Sequence, residues 1–291
     1  AYRRQRQMCI RDRFHIKQFK GGLFVTLSEN KTLELTKSIF SLIFIYIGIE
    51  FLAIFILVPI SLVLNLVFKT DISINFHNDT TMLTVNCITQ ILGIYFFTKT
   101  YRKKEFNVPK INNPMSLNAF GKYALISLGD SGISILWLFL VQFISKYSPL
   151  IKSSLQDFIE HNEIFTGNTI LAFISVVIFA PIVEEIIFRG IIFNEVAKYK
   201  GGAFPIIISA LLFGLAHMQP IQIVYTFISG LIWAFVYSKT HSLPIVMFLH
   251  MLNNLLTFAP EPLSTFISII QVLSIIPMIY LLRKLYKESK V

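Results

Sequence analysis

Residues 168–193 read NTILAFISVVIFAPIVEEIIFRGIIF. The run is longer than the roughly 20 apolar residues that a helix needs to cross a bilayer core. Yet it contains three ionisable side chains, Glu184, Glu185 and Arg189. On insertion scales a charge at the bilayer centre costs at least about 2.5–3.5 kcal/mol, so each of the three needs a physical reason. The apolar background sets the fold class, and the three charges point to the chemistry.

The rest of the chain has the same character. Of 291 residues, 54% are hydrophobic and 14% charged, against about 25% charged in soluble domains. A soluble protein of this length could not hide so much apolar surface, so the expected fold is an all-α polytopic membrane protein. Besides 168–193, apolar runs occur at 38–68, 81–98, 119–144, 203–218, 221–238, 243–258 and 263–282. That predicts about eight transmembrane helices. The first is expected to bend at Pro59, 203–218 and 243–258 are short, and 81–98 carries Thr84, Asn86, Thr89 and Gln90. Between the third and fourth runs, 146–167 mixes Leu155, Phe158 and Ile159 with charges, the pattern of an amphipathic helix lying in the membrane interface. The chain thus divides into an N-terminal region (14–167), a core with spans four to seven (168–258), and a last span with a basic tail (259–291).

The formal charge is +10, which on a membrane protein reports orientation rather than nucleic-acid binding. Residues 1–13 hold Arg3, Arg4, Arg6, Arg11 and Arg13 against Asp12. Met8 to Asp12 back-translate as ATG-TGT-ATA-AGA-GAC, so this segment is expected to be read-through of a sequencing-library adapter. Without it, seventeen Lys and Arg residues fall on the side of the chain ends, and Lys69, Lys146 and Lys152 fall on the other. Cytoplasmic loops collect Lys and Arg, so both ends are expected in the cytoplasm of a multi-pass cell-membrane protein. Cys9 lies in the suspect segment and Cys87 in an apolar run, which leaves no disulfide framework and no cysteine metal site.

On a helix Glu185 and Arg189 are i and i+4 and can pair. Glu184 is turned about 100° away, and a structural ion pair leaves it without a role. With a turn near 198–202, Glu184 and His217 stand equally far from it, hence at similar depth on antiparallel helices. His250 and Asn254 are again i and i+4 and share a helical face. A lone buried His is more often a satisfied core residue. Here three spans bring one Glu, two His and one Asn to one layer.

A carboxylate in a poorly solvated cavity suits a general base at neutral pH. Glu184 could activate a water with help from His217, while His250 and Asn254 donate to the oxyanion of a tetrahedral intermediate. Glu184, His217 and His250 could instead bind Zn²⁺, which would activate the water as a Lewis acid. Spacing alone leaves both open.

Glu-Glu-x-x-x-Arg, Phe-x-x-x-His and His-x-x-x-Asn, in this order on neighbouring spans, resemble the CPBP family. These are the CAAX-protease and bacteriocin-processing (Abi) intramembrane endopeptidases, related to the type II CAAX prenyl protease. The resemblance covers about 168–258 and implies Glu184 as the catalytic carboxylate with His217 its partner on the water. It also implies His250 and Asn254 as the oxyanion site, with Glu185 and Arg189 in support. The family is often labelled metalloprotease, although a metal-free glutamate mechanism is also described. The metal-free route is preferred here, with no cofactor required.

The absence of His-Glu-x-x-His argues against a site-2-type zinc protease, and no Gly-x-Ser is paired with a later His as in rhomboid-like enzymes. An ion- or proton-coupled transporter would use Glu50, Asp130, Glu184 and the two His as a relay, but related halves are missing. A catalytically silent immunity or scaffold relative is a third reading. Asp130 and Glu50 are expected to bond neighbouring helices, and Phe213 to pack on glycines. The Ile, Lys, Asn and Phe bias suggests an AT-rich bacterium. The expected partners are the lipid bilayer and a membrane-associated peptide or protein substrate, with no nucleic acid.

Overall fold

The computed structural model describes residues 29–68, 79–104, 106, 117–163, 168–260 and 262–288. The adapter-like segment and the side chain of Glu50 lie outside the described residues, as do several topology charges, among them Lys69, Asp71 and Lys110. Among the described residues ten helices follow in order: α1 (Glu29–Phe68), α2 (Asp79–Lys103), α3 (Leu117–Ser145), α4 (Pro149–Glu163), α5 (Thr169–Tyr199), α6 (Phe204–Ala216), α7 (Pro220–Thr240), α8 (Leu243–Leu256), α9 (Leu263–Leu273) and α10 (Ile275–Glu288). Among the described residues there is no strand.

All eight apolar runs are helical. α1, α2, α3, α5 and α7 are long and apolar enough to cross a membrane, and α9 with α10 makes a sixth as one span bent by 41°. α6 and α8 have 13 and 14 residues and rise about 20 Å, less than the roughly 30 Å hydrocarbon core. The number of apolar runs and the number of full-length spans thus differ, because composition reports burial in protein as readily as burial in lipid. Pro59 sits inside a helix that continues to Phe68, and the expected interfacial segment is the helix α4.

The outside of the bundle suits lipid. Phe44, Phe51 and Phe55 on α1 and Ile170 on α5 are largely exposed, Phe55 by 75%. Water would not tolerate so large an apolar surface. The inside is built around α5 and α3. α5 packs against α2, α6, α7 and α8, while α3 touches α4, α7, α8, α9 and α10. α6 and α7 pack closely, where a Cβ on Gly230 would lie 3.0 Å from Ala210 Cα.

α5 is not a uniform α-helix. Two π-helical stretches, Phe173–Phe179 and Ile186–Phe193, flank a short α-helical segment, Ala180–Glu185. Pro181 has no N–H to give to the preceding turn, and the Ala180 N–H reaches back five residues to Ser175 O. Widened turns leave carbonyls that side chains must satisfy in a dry interior. Asn254 donates to Val176 O (2.8 Å), Ser209 to Phe188 O (2.8 Å), and Asn194 to Arg189 O (3.1 Å) and Gly190 O (2.7 Å). The irregular span is thus clamped by α6, α8 and its own last turn.

Candidate active site

The ionisable residues of α5 lie at the junction of its α-helical and second π-helical stretches. Glu185 and Arg189 are both fully buried, and Arg189 Nη1 donates to Glu185 Oε1 at 2.8 Å. Arg189 Nη2 donates to Gly230 O on α7 at 3.1 Å. The guanidinium lies over the Phe213 ring, 4.6 Å from its centroid, and 5.5 Å from that of Trp233. A buried charge survives only when paired and hydrogen-bonded, and Arg189 has a carboxylate, a carbonyl and two aromatic faces.

His250 enters from α8, 4% exposed. Its Nδ1 is 3.1 Å from Glu185 Oε1. Beside Arg189 the carboxylate is an acceptor, so Nδ1 carries the proton and donates. The imidazole stacks on Trp233, centroids 4.3 Å apart, and meets Phe213 edge to face at 5.7 Å. Its Nε2 faces Glu184 Oε2 at 3.9 Å. That gap is too long for a direct hydrogen bond. Among the described residues Glu184 Oε2, although buried, has no hydrogen-bond partner.

His217 lies just past the last turn of α6, half-buried. Its Nδ1 is 2.9 Å from Phe213 O. A carbonyl only accepts, so Nδ1 again holds the proton and Nε2 keeps its lone pair. Its ring meets Phe213 at 5.0 Å, so one phenyl ring touches both imidazoles and the guanidinium. Asn254, one turn after His250, spends one amide hydrogen on Val176 O and retains a second.

The structure thus brings Glu184, Glu185, Arg189 and His250 into one cluster and sets His217 beside it across Phe213. It does not gather Glu184, His217 and His250 into a metal-holding group: among the described residues no three His, Cys, Asp or Glu side chains form one. Phe213 does not simply pack on glycines, as expected from the sequence, because it supplies the cation–π face for Arg189. Two contributors went unforeseen. Trp233 has the composition of a core residue, and Gly230 acts through its carbonyl. Neither belongs to a motif, although the small-residue position at 230 on an apolar helix signals close helix approach.

Residues 166–256 match the family described as type II CAAX prenyl endopeptidase Rce1-like, and all seven motif residues fall inside the match. Over this segment the chain is similar to that family. A Bacillus subtilis (strain 168) protein named "Putative membrane peptidase YdiL" is 32% identical to this chain over 133 residues, 42% of the chain and 54% of that protein. The chain therefore spans about half the length of the curated relative it matches. No solved structure matches the chain.

Proposed function

We propose that this protein is an intramembrane endopeptidase that hydrolyses a peptide bond in a membrane-associated peptide or protein through a water activated by Glu184. The observation that carries the reading is the 3.9 Å gap between Glu184 Oε2 and His250 Nε2, with a partnerless carboxylate oxygen on one side. A gap of this size between a carboxylate and an imidazole suits one bridging water. Glu184 takes a proton from that water as its oxygen attacks the scissile carbonyl. His217 Nε2, with Nδ1 held by Phe213 O, accepts a hydrogen bond from the same water or relays its proton. The free amide N–H of Asn254 donates to the developing oxyanion. His250 joins it as an imidazolium that has taken its second proton from solvent before the attack, so that Nδ1–H donates to Glu185 while Nε2–H donates to the water oxygen and then to the oxyanion. Glu184 finally returns the proton to the leaving amine.

The route as written uses only this chain's own side chains, with Glu184 as the base. The protein is further proposed to reside in a bacterial cell membrane with both termini cytoplasmic.

The test is cleavage of a peptide library by the purified protein in detergent or liposomes, with Glu184→Gln, His217→Ala and Asn254→Ala alongside. Removing the general base should lower kcat about 10²–10⁴-fold, with the fold intact by circular dichroism and activity insensitive to chelators. Undiminished cleavage by Glu184→Gln would overturn the assignment. Loss on chelation, restored by Zn²⁺, would replace the metal-free step.

A further inference from the structure

Behind the site lies a second buried polar cluster. Asp130, in the middle of α3, is fully buried. Its Oδ1 accepts from Ser229 Oγ on α7 at 2.9 Å, and its Oδ2 accepts from Asn253 Nδ2 on α8 at 3.2 Å. Asn253 also donates to Ser131 Oγ at 2.8 Å. One turn earlier on both helices, Ser127 Oγ donates to Leu249 O at 2.8 Å.

The placement of these contacts is specific. α8 is held to α3 at residues 249 and 253, and the site residues are 250 and 254. Each site residue lies one position, about 100°, around the helix from a tethered one. On α7 the tethered residue is Ser229. Its neighbour Gly230 supplies the carbonyl for Arg189, and Trp233, one turn on, stacks on His250. α8 has 14 residues and cannot be held in depth by spanning the membrane alone. A carboxylate at this position must be satisfied at both oxygens, and its partners sit on the two helices that carry the imidazole, its stacking ring and the carbonyl of Arg189.

We propose that Asp130 is a positioning residue for this site, fixing the depth and rotation of α8 so that His250 faces Glu184 and Glu185. The inference rests on the peptidase reading, but its geometric part does not require activity. Asp130 acts on the site through its hydrogen bonds with Asn253 and Ser229.

The test uses full-length protein in detergent and three variants: Asp130→Asn, Asn253→Asp and the exchange Asp130→Asn/Asn253→Asp. The exchange restores a donor opposite an acceptor with the partners reversed, whereas Asn253→Asp sets two carboxylates face to face. Geometry is read in a Cys9→Ser/Cys87→Ala background carrying Glu184→Cys/His250→Cys, as the rate of closure by a short bis-methanethiosulfonate cross-linker below every variant's unfolding midpoint. Asp130→Asn and Asn253→Asp should slow cross-linking at least fivefold, and the exchange should recover to within twofold. In the background without the 184 and 250 cysteines, kcat should fall at least tenfold in the singles with KM within threefold, and recover in the exchange. A role in stability alone would lower the unfolding midpoint and leave cross-linking and the kcat-to-KM split unmoved. Unchanged cross-linking in Asp130→Asn, or an exchange variant no better than it, overturns the proposal. Should Asp130→Asn not fold, Asn253→Ala takes its place with the same expectations. A double-cysteine reference that cross-links, beside a wild type that cleaves nothing, would sink the peptidase reading while leaving the positioning measurable.

Discussion

Replacing Arg189 with methionine removes a positive charge from a place where neither it nor Glu185 has any solvent exposure. Glu185 would then face His250 alone, and Gly230 O would lose its donor. Breaking a buried ion pair from one side costs about 3–5 kcal/mol, and the face over Phe213 at 4.6 Å is an exposed-to-buried cation–π contact of about 0.5–2 kcal/mol already contained in that loss. Replacing both partners, as Glu185→Leu/Arg189→Met, removes the orphaned charge. Apolar replacement of a buried pair is near neutral or better, but His250 Nδ1 loses its acceptor, at about 1–3 kcal/mol. The double variant should therefore be more stable than Arg189→Met by about 2 kcal/mol, the difference between the midpoints of the two ranges. Its activity should not return, because the His250 tautomer is no longer fixed. Equilibrium unfolding in mixed micelles with SDS, followed by far-UV circular dichroism, measures both stabilities without relying on Trp233 emission beside the mutated site. A single variant within about 1 kcal/mol of wild type, well below the buried-pair range, or a double variant no more stable than it, would refute this account of the cluster.

Gly132→Ala on α3 would push a Cβ into the Gln271 carbonyl of α9, and overpacking of this kind should cost about 1–3 kcal/mol in the same unfolding assay. His241 follows the last residue of α7 with φ 47°, and burial, then Lys239, holds its imidazole below the ordinary 6.5. As pH falls through about 6.5 the unfolded chain takes up the proton first, so stability should be full above that pH and decline below it. His241→Asn, which tolerates the left-handed backbone, should flatten the decline when unfolding midpoints are compared between about pH 5 and 8.

The bundle was legible because lipid and protein interiors both demand apolar helices, and the pairing of Glu185 with Arg189 because i,i+4 spacing is a local rule. The link between His250 and Glu185 spans 65 positions and those of Asp130 span 99 and 123. Spacing gave them only as a shared depth or an unexplained charge. The sequence reading joined His250 to Asn254 and left Glu185 to Arg189, whereas Glu185 Oε1 accepts from both His250 and Arg189. The π-helical turns were hidden for another reason: they keep the composition of an α-helix and change only which carbonyl each N–H meets. Pro181 is the one local sign that the ladder shifts there.

The brevity of α6 and α8 has a consequence for the surrounding lipid. Helices of 13 and 14 residues rise about 10 Å less than a typical hydrocarbon core is thick, so at least one end of each would fall short of the headgroup plane of an unperturbed bilayer. Acyl chains meeting such an end must shorten, tilt or disorder, at a fraction of a kcal/mol per Å of mismatch. Where that end is the turn at His217–Pro220, the leaflet would thin over it and bring the interface towards His217. The proposed hydrolysis would draw its water through that depression, and bilayers of longer acyl chains should make it costlier to form.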